Sequence, residues 1–517
     1  MRRVTQALRG LLILLAAAAM IAFVLIARRR FHSPYEYDWI EDGMLAGVRH
    51  ICAGLPLYAA PSIHFTPYLY TPIYLYLSAA LAKVTGITYV PLRALSIAAT
   101  CGSFAAIIAL VFSETRRYFA AIAGAGLFAA CYAAVDGSFD VGRVDMLYIF
   151  FVLCALYATR RMSPWFAALL WVCAFQTKQG VLPIALLMLC HQWPQPRRVL
   201  AGLASFAVLL GASIAVLNRM THGWYRYYVF GMSGGFGLQP HKLMEFFRFD
   251  MAGVCGAALI VIVAATVLLY PRWRHVIRGT TFSFYALGTV GMIFYTGYIR
   301  AHRGANTNSL IPAYAWIAVL FGVALGKLYQ RLAAQQSRWA QSALAILLLA
   351  AGAQFAQLHY SFDDWAPSAD EAALRENFEA RLRRIPGEVM VFSHPEYALA
   401  AGKQEYADSE AVGEVIEAKQ QENGDRLMED YAALVHSRRL SAIVLDRTAE
   451  NFQALPRTWI PRDFLAYYPV RIEDAGGSAR RFTSQPKYIY LQCPSPGAVD
   501  VPRLLDAAAD ESGCAQH

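Results

Sequence analysis

The sequence predicts an α-helical polytopic membrane protein of about eleven transmembrane helices, followed by a C-terminal soluble α/β domain. Three observations carry that prediction. The chain has 517 residues, of which 57% are hydrophobic and only 16% charged, and its mean hydropathy is positive, unlike an ordinary soluble protein. Apolar runs of about 17–22 residues recur, close to the roughly 20 that a helix needs to cross a bilayer. At His359 the character changes to charged, turn-punctuated sequence. The net charge of +10 sits in short clusters between the runs, as in cytoplasmic loops, so no nucleic-acid partner is expected.

The first run, 11–27, follows Arg2, Arg3 and Arg9 and ends at Arg28-Arg29-Arg30 without a small-residue cleavage site, so it reads as an uncleaved anchor. Further runs cover approximately 91–112, 119–135, 146–159, 164–176, 180–193, 199–217, 251–270, 280–298, 308–326 and 339–358. A cytoplasmic N-terminus places the loops densest in Lys and Arg inside, although Arg28-Arg29-Arg30 then lie outside, against the rule. The first outer loop is 31–90. Within it, 68–84 is rich in Tyr and punctuated by Pro, which suits a helix lying at the interface rather than a span. The acidic clusters of the membrane part, 1–359, then fall on the outer face. A bacterial inner membrane is the default setting for such a chain.

Residues 360–517 are expected to form an extracytoplasmic α/β domain. The segments 388–393, 441–446 and 488–492 read as strands, and 369–384 and 410–438 as helices. Seven cysteines lie in or beside apolar runs as small buried hydrophobes. Cys493 and Cys514 belong to the polar region, and outside the cytoplasm they are expected to pair.

Acids are scarce in the membrane part, yet Glu36-Tyr37-Asp38-Trp39-Ile40-Glu41-Asp42-Gly43 carries four carboxylates within seven residues. On a helix, Asp38, Glu41 and Asp42 share one face. A carboxylate so placed accepts a proton from an attacking hydroxyl; the plain alternative is a solvated acidic loop. A second constellation, Asp136-Gly-Ser-Phe-Asp140-Val-Gly-Arg143-Val-Asp145, stands at the mouth of the 146–159 run. Acids from the two loops, Asp42 and Asp145, are candidates to share a divalent cation, whereas helix capping is the bland role for Asp145. Lys178, between two runs, is a phosphate ligand or a snorkelling lysine. Arg300, His302 and Arg303 form a second cationic cluster, suited to phosphate or to lipid headgroups. The loop 218–250, with glycines at 231–237, reads as a lid or as interfacial aromatics.

In order and spacing these motifs resemble the GT-C superfamily of polyprenyl-phosphate-dependent glycosyltransferases. The family's acidic motif in a long first outer loop is matched by Glu41-Asp42-Gly43, with the two acids in reversed order, which leaves either as the main base. Gly54-Leu55-Pro56-Leu57-Tyr58 and Tyr70-Thr71-Pro72 are similar to the pattern that continues that loop. Arg143-Val144-Asp145 matches a second acidic position, and Thr177-Lys178 a Thr-Lys after a later run. The resemblance spans roughly residues 10–330 and implies a sugar moved from a polyprenyl-phosphate donor, held by a membrane lipid carrier, to a glycan, lipid or protein acceptor outside. Glu41 or Asp42 would be the base, with Asp38 and Asp145 in support. Arg143, Lys178, Arg300, His302, Arg303 and Tyr70 would bind substrate. The rival readings are a transporter or flippase of lipid-linked or soluble solutes, against which the runs offer no Asp or Glu, and a non-catalytic scaffold, in which the acids have no task.

Overall fold

The computed structural model describes residues 2–232, 237–273, 280–335, 337–418, 421–473 and 486–493. Every apolar run is helical. Seven helices are long and apolar enough to cross a membrane, the first near the N-terminus and the last at Arg338–Gln357. They are joined by shorter partners: α5 (Tyr118–Ala130), α6 (Val144–Arg161), α7 (Pro164–Phe175) and the Gln179–Gln192 segment around α8 (Leu182–Leu189). The protein is a helical membrane protein.

The short helices survive because they are interior. Ten of the thirteen α5 residues are Ala, Gly, Leu or Ile, and small side chains let neighbouring backbones approach closely. A Cβ at Gly126 would stand 2.4 Å from that of Ala16 on α1 (Arg2–Arg30). Arg30, one of the three arginines that close the first helix, does not face solvent. Its guanidinium lies 2.9 Å from Asp140, also bonds the Tyr132 hydroxyl, and sits 4.2 Å over the Tyr37 ring.

Two helices shape the outer loop, α2 (Glu41–Cys52) and α3 (Ile73–Thr85). With 13 residues, α3 is too short to cross, as expected of 68–84. It is pinned to the C-terminal end of α7: Thr71 Oγ1 donates to Phe175 O at 2.8 Å and the Ile73 N–H to Gln176 O at 2.9 Å. Helices α4 (Tyr89–Thr115) and α9 (Pro196–Met220) continue the bundle.

Beyond the last span, β1 (Glu388–Val391), β2 (Leu440–Leu445), β3 (Val470–Glu473) and β4 (Tyr488–Leu491) form one sheet in the order β1-β2-β4-β3. The β1–β2 pair is parallel and the other two are antiparallel. Strand β3, with the sequence Val-Arg-Ile-Glu, was not expected; it has two apolar residues where β1 and β4 have three or more. The helix expected over 410–438 is two, Ser409–Glu417 and Gln421–His436, because Ala418 is extended at ψ 151°. The Ala369–Arg384 helix starts as expected, with a reciprocal capping box between Ser368 and Glu371. Cys493 is disulfide-bonded, and Cys514 lies outside the described residues. The seven cysteines of the membrane part are free.

Candidate active site

The acidic heptad does not act as one cluster; the fold divides it three ways. Glu41 opens α2 and is wholly buried, as is Arg93 in the first turns of α4. Arg93 grips both carboxylate oxygens of Glu41 at 3.0 and 2.9 Å and donates to the carbonyls of Arg30, Ser33 and Tyr35. The Tyr37 and Gly142 N–H groups complete the shell of Glu41, each at 2.6 Å. A carboxylate so fully bonded, with no water access, has no lone pair to offer a substrate. In this arrangement Glu41 braces the loop against the bundle through Arg93.

Asp42 faces the C-terminal domain. Its carboxylate takes the Tyr89 hydroxyl and, at 3.3 Å, the Glu396 N–H. It lies beside Glu36 and His394. Burial, then the neighbouring Glu36 charge, pushes Asp42 well above the usual carboxylate range. His394 Nδ1 is 2.6 Å from Glu36 Oε1 and Nε2 is 3.1 Å from Asp446 Oδ2. Asp42 and Asp145 thus engage different partners, the Asp145 oxygens being held by Arg143, Lys178 and Asn308.

Asp38 is the acid of the heptad that reaches open space together with Glu36. Both line a cavity of about 680 Å³ between the ends of the helices and the C-terminal domain. Arg143 Nη1 donates to both Asp38 oxygens at 2.7 Å, while its Nε reaches Asp145 Oδ2 at 3.2 Å. Asp145 sits in the first turn of α6, where the helix dipole favours an anion. It is held by Lys178 Nζ at 2.5 Å and by Asn308 Nδ2 at 3.2 and 3.3 Å. The Lys178 ammonium also stands 5.9 Å over the Tyr70 ring. Asp38, Arg143, Asp145, Lys178 and Tyr70 therefore form one connected set.

Arg300 and Arg303 line the same cavity. Arg300 Nε pairs with Asp250 at 3.1 Å and Arg303 Nη2 with Glu417 at 2.9 Å across to the C-terminal domain. Both pairs are partly exposed, hence weak and open to exchange for another anion. His302 turns away: its Nδ1 bonds Tyr298 O at 2.9 Å and it is not among the cavity-lining residues. Glycines of the expected lid at 233–236 lie outside the described residues.

The far wall comes from the C-terminal domain: Ser393, Glu410, Glu414, Glu417, Asp446, Arg447 and Trp459. Sequence reasoning missed this wall, along with Arg93, Glu36 and Asn308. For Asn308 a signal existed, since it closes the Arg300–Arg303 loop. Nothing in the order of residues 393–459 announces a shared surface, because its parts come from the ends of two strands and separate helices.

The domain is tied to the outer loop at several points. Arg49 pairs with both Glu396 and Glu405. The Tyr68 hydroxyl donates to Asp408 Oδ1 at 2.7 Å, the Ala407 N–H to Ile63 O at 2.9 Å, and Arg375 to Glu36 O at 3.1 Å.

Comparison with known proteins completes the description. The model of glycosyltransferase family 87 matches residues 68–296. The apo structure of ArnT from Cupriavidus metallidurans superposes with a TM-score of 0.55 at 12% identity, covering 93% of this chain and 97% of that one. The same transferase bound to undecaprenyl phosphate gives 0.49 at 13%, covering 85% and 96%. The Archaeoglobus fulgidus oligosaccharyltransferase in complex with Zn and sulfate gives 0.48 at 10%, covering 92% and 73%. No curated protein matches the chain. The family match supplies the activity class, and the apo ArnT likeness over nearly the whole length supplies the fold.

Proposed function

We propose that this membrane glycosyltransferase of GT-C-like fold takes its sugar from a polyprenyl-phosphate carrier and passes it to a hydroxyl of an acceptor outside the cytoplasm. The observation that carries the reading is the juxtaposition of Asp38 with Arg143, Arg300 and Arg303 in one cavity at the ends of the helices. Cationic groups at one side of such a cavity neutralise a departing phosphate, and a carboxylate at the other accepts the proton of an attacking hydroxyl. The ArnT complex with undecaprenyl phosphate names a carrier of the same chemical class.

In this reaction the acceptor oxygen bonds to the anomeric carbon as the bond from that carbon to the phosphate oxygen breaks. The hydroxyl proton goes to Asp38 and polyprenyl phosphate leaves with the electron pair. Arg143, locked between Asp38 and Asp145, orients the base. Arg300 and Arg303 exchange their partly exposed partners, Asp250 and Glu417, for the donor phosphate. Next to Asp250, the exposed side chains of Met244 and Phe249 offer an apolar surface for the carrier's tail. The reading places the N-terminus in the cytoplasm, the C-terminal domain outside and the protein in a bacterial inner membrane.

The test is transfer of labelled sugar from a panel of polyprenyl-phosphate sugars in membranes. Asp38→Asn is expected to lower turnover about 10²–10⁴-fold, the usual worth of a general base, with insertion and folding unchanged. Wild-type turnover in that variant would remove Asp38 from the chemistry.

A further inference from the structure

We propose that Glu36, Asp42 and His394 form a divalent-metal site that fastens the C-terminal domain to the loop bearing Asp38. The inference rests on geometry and does not depend on the identity of the sugar donor.

One ligand atom from each of the three residues lies within 4.8 Å of the others, and all three side chains are buried. Glu36 is 6% exposed, and its buried Oε2 has no donor beside it unless the neighbouring Asp42 carboxyl keeps a proton. A carboxylate oxygen in that condition is costly. Two carboxylates buried against each other make the cost larger, and a cation between them removes it.

The outer shell fits as well. Imidazoles that bind metal through one nitrogen usually give the other N–H to a carboxylate. Here His394 Nδ1 points at Glu36 and Nε2 stands 3.1 Å from Asp446. The Tyr89 hydroxyl and the Glu396 N–H fix the orientation of Asp42. One imidazole nitrogen and two carboxylate oxygens make a borderline donor set, suited to Zn²⁺ or Mn²⁺ rather than to soft ions.

Placement gives the site its consequence. Glu36 and Asp42 flank Asp38 in the chain, and Glu36 and Asp446 also line the cavity. His394 comes from the domain, between β1 and the Pro395–Ala400 helix. A metal here joins two parts of the chain some 350 residues apart and holds the acidic loop in register with the wall opposite. It is a positioning device, and no step of the transfer passes through it.

The experiment uses full-length protein purified in detergent without chelators. Elemental analysis is expected to find about one zinc or manganese per chain. After chelator stripping, added Zn²⁺ or Mn²⁺ should raise the thermal midpoint of the wild type and much less that of Glu36→Gln or His394→Ala. Because those variants remove ligands from a buried cluster, Asp446→Asn is the safer companion. It keeps all three ligands and is expected to weaken metal affinity about 10–100-fold. Arg49→Ala, which loosens the same junction outside the cluster, should keep the metal. A stripped wild type that neither takes up nor is stabilised by either ion overturns the proposal, and a proton then fills the cluster. Equal uptake by wild type, Glu36→Gln and Asp446→Asn overturns it too.

Discussion

Exchanging Glu41 for Gln and Asp38 for Asn changes the same chemical group three positions apart, yet the outcomes should differ in kind. Glu41→Gln leaves the Arg93 guanidinium buried without its counter-charge, which typically costs about 3–5 kcal/mol. The expected result is a lowered thermal midpoint and poor yield in detergent, with transfer falling only as folded protein falls. Asp38→Asn, whose partner Arg143 keeps Asp145, should instead move the midpoint little and lower turnover about 10²–10⁴-fold. A stable but inactive Glu41→Gln protein would reverse that division of labour. In the linear sequence the two carboxylates are indistinguishable, because what separates them is Arg93, 52 positions beyond Glu41. The motif was legible; the roles within it were not. The link from Arg143 to Asp145 was closer to the surface of the sequence, since two residues bounding a helix start must lie near one another.

Helix α2 is the element on which the outer loop turns, and its packing depends on a missing side chain. A Cβ on Gly43 would meet the Tyr68 ring at 2.3 Å. Gly43→Ala is therefore expected to displace Tyr68 and destabilise the protein by about 1–3 kcal/mol, the usual range for overpacking, read by thermal unfolding. Tyr68 matters because its hydroxyl meets Asp408, which caps the Ser409–Glu417 helix. Burial raises Asp408 from 3.8 to about 7, and burial raises Glu414, on the same helix beside the Leu69 N–H, from 4.5 to about 8. Both folded values exceed the unfolded ones, so the docked state holds the extra protons. Its stability is then full below about pH 4 and is lost as pH rises through 7 and 8. Hydrogen exchange of the Ser409–Glu417 helix should accelerate over that window, and Glu414→Gln should flatten the response. The long apolar helices were read correctly, since period and length speak locally, whereas short ones such as Pro395–Ala400 and Ala449–Gln453 were not. Strand β3 was missed because charged residues interrupt its short apolar pattern, and the break at Ala418 because it is a single extended residue.

At the scale of the whole molecule, the cavity exists only while two halves stay together. Arg49 holds Glu396 and Glu405 near the rim. Arg49→Glu puts three acids side by side, and the domain should detach more often. Limited proteolysis in the 359–368 connection should speed up, and the acceptor KM should rise while donor binding changes little. Equal proteolysis in wild type and variant would show that the remaining contacts suffice. The sequence announced a membrane part and a polar part, but not that they share a wall, because that surface is assembled from residues scattered between 36 and 459.

The buried arginines also constrain how the protein is made. When α4 emerges from synthesis, Glu41 has already preceded Arg93, so that charge enters the bilayer region with its neutraliser present. Arg30 has no such luck: Asp140 is made 110 residues later. In the proposed orientation, the first helix must carry three arginines outward before any acid is there to receive the last of them. By insertion scales an arginine costs about 2.5–3.5 kcal/mol at the centre of an apolar span, and less at its end. Biogenesis therefore stays reversible at its first hairpin until α5 and α6 deliver Asp140, and that delivery locks the anchor in place.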